Sequence, residues 1–319
     1  MYRLLKFPVF LARLVWCPRL LVEKKEWLES GGPLLIAANH PNSFLDALLI
    51  AGLSKKPVYS LARGDVFAHP FAARMLKALN IFPVYRLREG SEHLHHNYTT
   101  FDLCLEIFRK NGTVLIFSEG LSINEWKLRP LAKGTARLAL RAWEEGIPLE
   151  VLPAGINYSN FGRVGKTVHI FFGEKIGPSF VLGGKNFGEQ VRGFNNKLQQ
   201  TLKPLVYELS HDELEKREQL FGFRKATITK VLGWLPASAG WLLHLPFYLP
   251  VRFFVKRKLS GSDHFDSVLI GTLFFLYPIY LAIATWILMT FTGTTYCFGL
   301  PLLMPVLARS YVVMKNKVR

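Results

Sequence analysis

The sequence predicts an α/β fold with a largely parallel sheet flanked by helices, an N-terminal interfacial helix and a C-terminal hydrophobic membrane hairpin. Three observations predict it. Across residues 30–220 short apolar runs alternate with helical stretches, the pattern of buried strands crossed over by helices. Residues 1–29 mix apolar side chains with isolated cations. Residues 221–319 are dominated by Leu, Phe, Ile, Val, Trp and Pro, with cations in clusters between the apolar stretches.

Within residues 30–220, Leu34-Leu-Ile-Ala-Ala38 follows the Gly31-Gly32-Pro33 turn and reads as a strand buried on both faces. Val58–Leu61 follows Pro57 as a second strand. Ile81–Tyr85 follows a helical stretch from about Phe67 to Leu79. Asn111-Gly112 closes a helix that begins near Tyr98, and Val114–Phe117 is the next strand. Leu131–Trp143 has Ala and Leu along one face and stops near Gly146. Glu150–Ala154 and Thr167–Phe172 supply the last strands, and residues 186–220 read as a polar helical exit interrupted at Pro204.

The first segment is expected to lie in a membrane interface. Leu4, Leu5, Val9, Leu11 and Trp16 are among its apolar contacts, while Arg3, Lys6 and Arg13 interrupt the run and speak against a cleavable signal. At the other end, Ser267–Thr290 carries no charge. At 1.5 Å per residue it reaches roughly 36 Å, enough to cross the hydrocarbon core. Tyr296–Val313 then returns, so a transmembrane hairpin is expected over 267–313 with both ends on the cation-rich side. Val231–Val251 has cations at both ends and three prolines, and it reads as re-entrant or interfacial.

Forty Lys and Arg against 23 Asp and Glu give a formal charge of +17, which points to a polyanionic partner. The charge alone allows nucleic acid, but the hydrophobic C-terminal region assigns it to an anionic membrane surface. Cys17, Cys104 and Cys297 lie far apart without metal-ligand spacing and read as free thiols. The sequence has neither the Gly-x-Ser-x-Gly elbow of a serine hydrolase nor a glycine-rich nucleotide loop. His93-Leu-His95-His96 comes with no carboxylate or cysteine framework, so no metal and no cofactor are expected.

The chemistry concentrates in Asn39-His40-Pro41-Asn42-Ser43-Phe44-Leu45-Asp46, directly after the first buried strand. A hydroxyl that attacks a thioester must lose its proton, and a neutral imidazole accepts it. A carboxylate on the other ring nitrogen fixes the tautomer and stabilises the imidazolium. Six positions along a helix would turn Asp46 about 120° away from His40. His40 is therefore expected in the strand-to-helix turn, with Pro41 or Asn42 opening the helix and Asp46 inside it.

Three later segments follow in order: Arg63 through Arg86, ending Asn80-Ile-Phe-Pro-Val-Tyr-Arg86; Ile116-Phe-Ser-Glu-Gly120 with Leu131-Ala-Lys133-Gly134; and Val151-Leu-Pro-Ala154. Together with the His/Asp segment they resemble the four sequence blocks of the glycerolipid acyltransferase family, which includes glycerol-3-phosphate and lysophosphatidate acyltransferases. Gly173-Glu-Lys-Ile176 is similar to the Gly-Glu-Pro-Ile that commonly closes that family's domain. The sequence departs from the family pattern in three places. Five residues separate His40 from Asp46 where four are common, which resembles the branch acylating glycerol 3-phosphate or dihydroxyacetone phosphate. Ser118 stands where proline is usual and is expected to loosen the turn presenting Glu119. Leu121-Ser122 replaces the frequent Thr-Arg or Ser-Arg pair.

The resemblance implies a membrane-bound O-acyltransferase moving an acyl group from acyl-CoA or acyl carrier protein to a glycerol-phosphate lipid acceptor. The acceptor most in keeping with it is 1-acylglycerol-3-phosphate, and glycerol 3-phosphate is the alternative. It implies His40 as base and Asp46 as its partner. Arg86 and Arg63 offer cations to phosphate, whereas Arg86 taken without the other segments reads as a surface ion pair. Glu119 either orients acceptor hydroxyls or belongs to an ordinary turn, and Gly120 lets substrate approach the backbone. Lys133 meets phosphate or the dipole of its own loop. The cytoplasmic face of an inner or plasma membrane, or its equivalent, is the expected location. The reading from another class is a lipid-binding membrane adaptor with a degenerate site.

Overall fold

The computed structural model describes residues 2–29, 31–84, 94–181, 186–210, 212–222 and 231–318. Its elements run α1 (Tyr2–Trp16), β1 (Arg19–Glu23), β2 (Leu34–Ala38), α2 (Phe44–Leu53), β3 (Val58–Arg63), α3 (Pro70–Ala78), β4 (Ile81–Val84), α4 (Leu94–Arg109) and β5 (Thr113–Phe117). They continue α5 (Gly134–Glu144), β6 (Glu150–Tyr158), β7 (Thr167–Phe172), α6 (Phe187–Leu202), α7 (Leu214–Phe221), α8 (Val231–Leu259), α9 (Phe265–Thr292) and α10 (Leu300–Val318).

Among the described residues the strands form one seven-stranded sheet in the order β1-β7-β6-β2-β5-β3-β4. The pairs β2–β5, β2–β6, β3–β4 and β3–β5 are parallel. β7 follows β6 after residues 159–166, too short a connection for a parallel crossover, so the sheet is mixed. All five residues of β2 are buried, because helices cover both faces of the central strands. Leu105 and Phe108 of α4 and Ala136, Leu138 and Ala139 of α5 fill that core beside β2 and β5.

The chain divides into two compact units: Met1–Phe7, Val22–Asn157 and His169–Glu208; and Pro8–Leu21, Tyr158–Val168 and Leu209–Arg319. The boundary therefore differs from the expected segments 1–29, 30–220 and 221–319. Residues 19–23, expected in the interfacial segment, pair as a strand because Leu20 to Val22 is an apolar run flanked by charged ends. Trp16 is buried, and its carbonyl accepts from Gly165 and Lys166 amides at 3.1 and 2.8 Å. It is thus a packing residue, whereas Phe7, Phe10 and Leu11 of α1 are exposed.

Two helical expectations change as well. α6 is not a polar exit: Val191, Phe194, Leu198 and Leu202 form a buried stripe at helical spacing and join the sheet's core. The stretch expected as a helix from Phe67 splits into a 3-10 turn, Gly64–Phe67, and α3.

In the second unit α8 is one 29-residue helix that runs through Pro236, Pro246 and Pro250 and includes the stretch 231–251 expected as re-entrant or interfacial. Packing holds it together: a Cβ on Gly240 would stand 2.1 Å from the Leu307 carbonyl oxygen, so α10 lies directly against the α8 backbone. Gly233 faces Met314 in the same way. Among the described residues two stretches, Phe265–Thr292 and Thr295–Lys315, are long and apolar enough to cross a membrane. Cys17, Cys104 and Cys297 are buried and form no disulfide.

Candidate active site

Register brings the chemistry to one edge of the sheet. Ala38, the last residue of β2, pairs with Phe117 of β5 and with Ala154 of β6. The segments that leave these parallel strands, Asn39-His40 and Ser118-Glu119, therefore emerge side by side at the carboxyl edge, where open α/β sheets hold ligands. Asn39 extends the ladder with its side chain. Its Nδ2 donates to the Ile156 carbonyl at 3.1 Å, and its Oδ1 accepts from the Ile156 amide at 2.7 Å.

His40 is fixed at four points. Its amide donates to Glu119 Oε2 at 2.9 Å, and its carbonyl accepts from the Ile123 amide at 3.2 Å. Its ring stacks on Phe117 with centroids 3.7 Å apart and planes 7° from parallel. Its Nδ1 lies 2.9 Å from Asp46 Oδ2. The Asp46 side chain is fully buried, while that of His40 is 18% exposed. With Asp46 as carboxylate, Nδ1 carries the proton and donates it, leaving Nε2 with a lone pair.

His40 sits in the strand-to-helix turn, as its spacing requires, but neither Pro41 nor Asn42 opens the helix. α2 begins at Phe44, and Ser43 ahead of it has φ of 49°. That left-handed backbone is unfavourable for a serine and is held by two contacts. The Ser43 amide donates to Ser122 Oγ at 2.7 Å, and the Asn42 amide donates to Asp46 Oδ2 at 2.8 Å. Asp46 lies in the first turn of α2, where the helix dipole favours its charge.

Glu119 and Gly120 lie at the same edge. Glu119 Oε1 accepts from the Arg129 amide at 2.9 Å while Oε2 holds His40, so both oxygens brace protein backbone. Burial pushes its carboxyl above the ordinary carboxylate range, although the Arg129 and His40 amides and the charge of His40 pull it down. Gly120 has φ of +68°, a conformation that admits glycine, and its amide bonds to the Phe117 carbonyl. The expected loosening by Ser118 does not occur. Ser118 is buried, its amide donates to Ala38, its carbonyl accepts from Ala132, and Thr135 Oγ1 donates to its Oγ at 3.0 Å.

Arg63 ends β3 at this edge and pairs with Asp65, two residues on. Lys133 caps the N-terminus of α5 and is exposed. A cation there meets the positive end of the helix dipole, so its own helix does not stabilise it. Arg86 lies outside the described residues. Ser122, Asn39 and Phe117 had no assigned role in the sequence. Asn39 and Phe117 lay within the quoted segments, but their contacts reach across the sheet, and Ser122 registered only as a departure from a familiar pair.

This unit is thus an α/β domain with a histidine and a buried carboxylate at the carboxyl edge of a mostly parallel sheet. Residues 19–157 match the family model described as Acyltransferase. A chloroplastic 1-acyl-sn-glycerol-3-phosphate acyltransferase of Brassica napus, BAT2, is 22% identical over 126 residues. That match covers 40% of this chain and 35% of the relative, so the chain spans about a third of its length. The crystal structure of a 1-acyl-sn-glycerophosphate acyltransferase, PlsC, from Thermotoga maritima is 19% identical with a TM-score of 0.45, covering 70% of this chain and 81% of that one.

Proposed function

We propose that the protein is a membrane-bound O-acyltransferase that moves a fatty acyl group from a thioester to a hydroxyl of a glycerol-phosphate acceptor. The observation that carries this reading is the His40–Asp46 pair, 2.9 Å apart with the carboxylate buried and the imidazole reachable. His40 Nε2 takes the acceptor's hydroxyl proton as its oxygen bonds to the thioester carbon. The carbon–sulfur bond then breaks, and the thiol leaves with a proton returned from His40. Asp46 stabilises the imidazolium in between, and the Phe117 stack keeps the ring plane fixed. No acyl-enzyme forms.

In this mechanism Glu119 serves by holding the His40 amide, and Lys133, Arg63 and Arg86 are the cations offered to the acceptor's phosphate. The acceptor is 1-acylglycerol-3-phosphate, in keeping with the name of the plant relative, and the donor is acyl-CoA or acyl carrier protein. One observation favours a second acceptor: the five residues between His40 and Asp46 favour glycerol 3-phosphate or dihydroxyacetone phosphate. The cation clusters around the apolar C-terminal helices support attachment at the cytoplasmic face of a membrane.

Purified protein reconstituted in lipid, supplied with labelled acyl-CoA or acyl carrier protein and each acceptor in turn, tests this. Phosphatidic acid formed from 1-acylglycerol-3-phosphate is the expected product. Faster acylation of glycerol 3-phosphate would reassign the acceptor, and no transfer to any of them would leave the lipid-binding adaptor.

A further inference from the structure

The helix contacts in the second unit bear on how the apolar C-terminal region meets lipid. Along α8 and α10 they run in opposite senses: Gly233 faces Met314 and Gly240 faces Leu307. The same holds for α8 and α9. His244 bonds Tyr277 at 2.9 Å, Tyr280 donates to the Leu243 carbonyl, and Arg252 stands over Phe265. α8 is thus antiparallel to both of its neighbours. Two full-length antiparallel spans cannot offer this, because a third helix beside both must run parallel to one of them.

The stretch beyond those contacts, within which Thr285, Cys297 and Met304 are buried, is what remains for a hairpin. On α9 that is Leu281–Thr292, roughly 18 Å at 1.5 Å per residue. On α10 it is Leu300–Val306, roughly 10 Å. Neither reaches the roughly 30 Å of a hydrocarbon core. Among the described residues these include the most exposed large apolar side chains, with Phe291 86%, Tyr296 92% and Leu302 79% exposed. Trp286 and Phe298 stand out beside them. No charged residue occurs from Ser267 to Ala308, whereas exposed Lys256, Arg257, Lys258 and Arg309 flank the apolar stretch.

We propose that Leu281–Val306 is a wedge that enters one leaflet of an anionic bilayer and returns, in place of a hairpin that crosses it. Its aromatic tip sits among acyl chains, and the flanking cations sit at headgroup phosphates. A re-entrant tip has a backbone turn at Gly293–Thr294, which α9 ends on a left-handed glycine with φ of 66°. The Thr294 hydroxyl accepts from the Tyr296 amide at 3.1 Å, which satisfies one of the donors at that turn.

The inference rests on the membrane-bound reading, and its test separates the two. The full-length Tyr296→Cys and Phe298→Cys variants are bound to vesicles of phosphatidylglycerol and phosphatidylethanolamine, with the wild-type chain and its buried thiols as background. The expected result is protection from impermeant maleimide on either side of the vesicle until detergent is added. An environment-sensitive label on either variant is then quenched by spin labels on the acyl chains of one leaflet. Labelling from the far side would show a two-pass hairpin and overturn the wedge while membrane binding stands. Labelling from the near side would place the tip in water, and crosslinking of the two variants to a second copy would make it a dimer contact. Failure to sediment with vesicles would overturn the membrane reading together with the wedge.

Discussion

Two buried carboxylates each hold a nitrogen base, one in each unit. Asp46 lies 2.9 Å from His40 and Asp266 lies 2.7 Å from Lys166, and both carboxylates are within 1% of complete burial. The difference is on the side of the base. The His40 side chain is 18% exposed and keeps one ring nitrogen turned away from its partner, whereas Lys166 is wholly enclosed and also donates to the Arg163 carbonyl at 3.0 Å. Lys166 lies in the connection from β6 to β7 and Asp266 in the first turn of α9. An open pair can exchange a proton with a substrate, and a closed pair can only hold structure in place. Burial of a charge pair therefore does not mark a catalytic site until one member is reachable.

Substitutions break this comparison at different points. Replacing the base, His40→Ala, is expected to lower kcat on the order of 10⁴-fold with the fold intact by circular dichroism. Asp46→Asn keeps the size but presents the wrong partner to Nδ1, and a loss on the order of 10³-fold in steady-state turnover is expected. In the closed pair, Lys166→Met strands a buried carboxylate and is expected to cost about 3–5 kcal/mol. Thermal unfolding in detergent measures it, and Lys166→Met with Asp266→Leu should recover most of the loss while turnover of the folded protein is retained. Ser122→Ala removes the acceptor of the Ser43 amide and is expected to cost about 1 kcal/mol and several-fold in kcat, with KM little changed.

The smallest effect concerns Glu119. Burial raises its carboxyl in the folded chain, so the folded state keeps this proton at pH values where the unfolded chain has lost it. Stability from this group therefore falls as pH rises from the ordinary carboxylate range through the raised value. Glu119→Gln removes the titration, and its melting temperature followed from about pH 4 to pH 7 should lose that part of the slope.

The central fold was legible because β2, β5 and β6 are apolar runs too short for helices and bounded by turns. His40 and Asp46 stood out because three later segments follow them in the order of the family they resemble, and their spacing then put His40 in the strand-to-helix turn. β1 was hidden because an apolar run flanked by charges resembles the interfacial helix before it. α8 was hidden by its three prolines, whose cost helix packing around Gly240 helps to offset. Ser122 and Asn39 act through backbone groups far away in sequence, a kind of contact that no local pattern reports. The bond from the His40 amide to Glu119 spans 79 residues and was hidden for the same reason.

The most direct test is acyl transfer by wild type, His40→Ala and the Lys166→Met/Asp266→Leu double variant, side by side in the same vesicles. The open pair predicts transfer by the wild type and the double variant, and loss of at least a hundredfold on removal of the imidazole. Undiminished turnover in folded His40→Ala would contradict the assignment of the base and the distinction drawn between the two pairs.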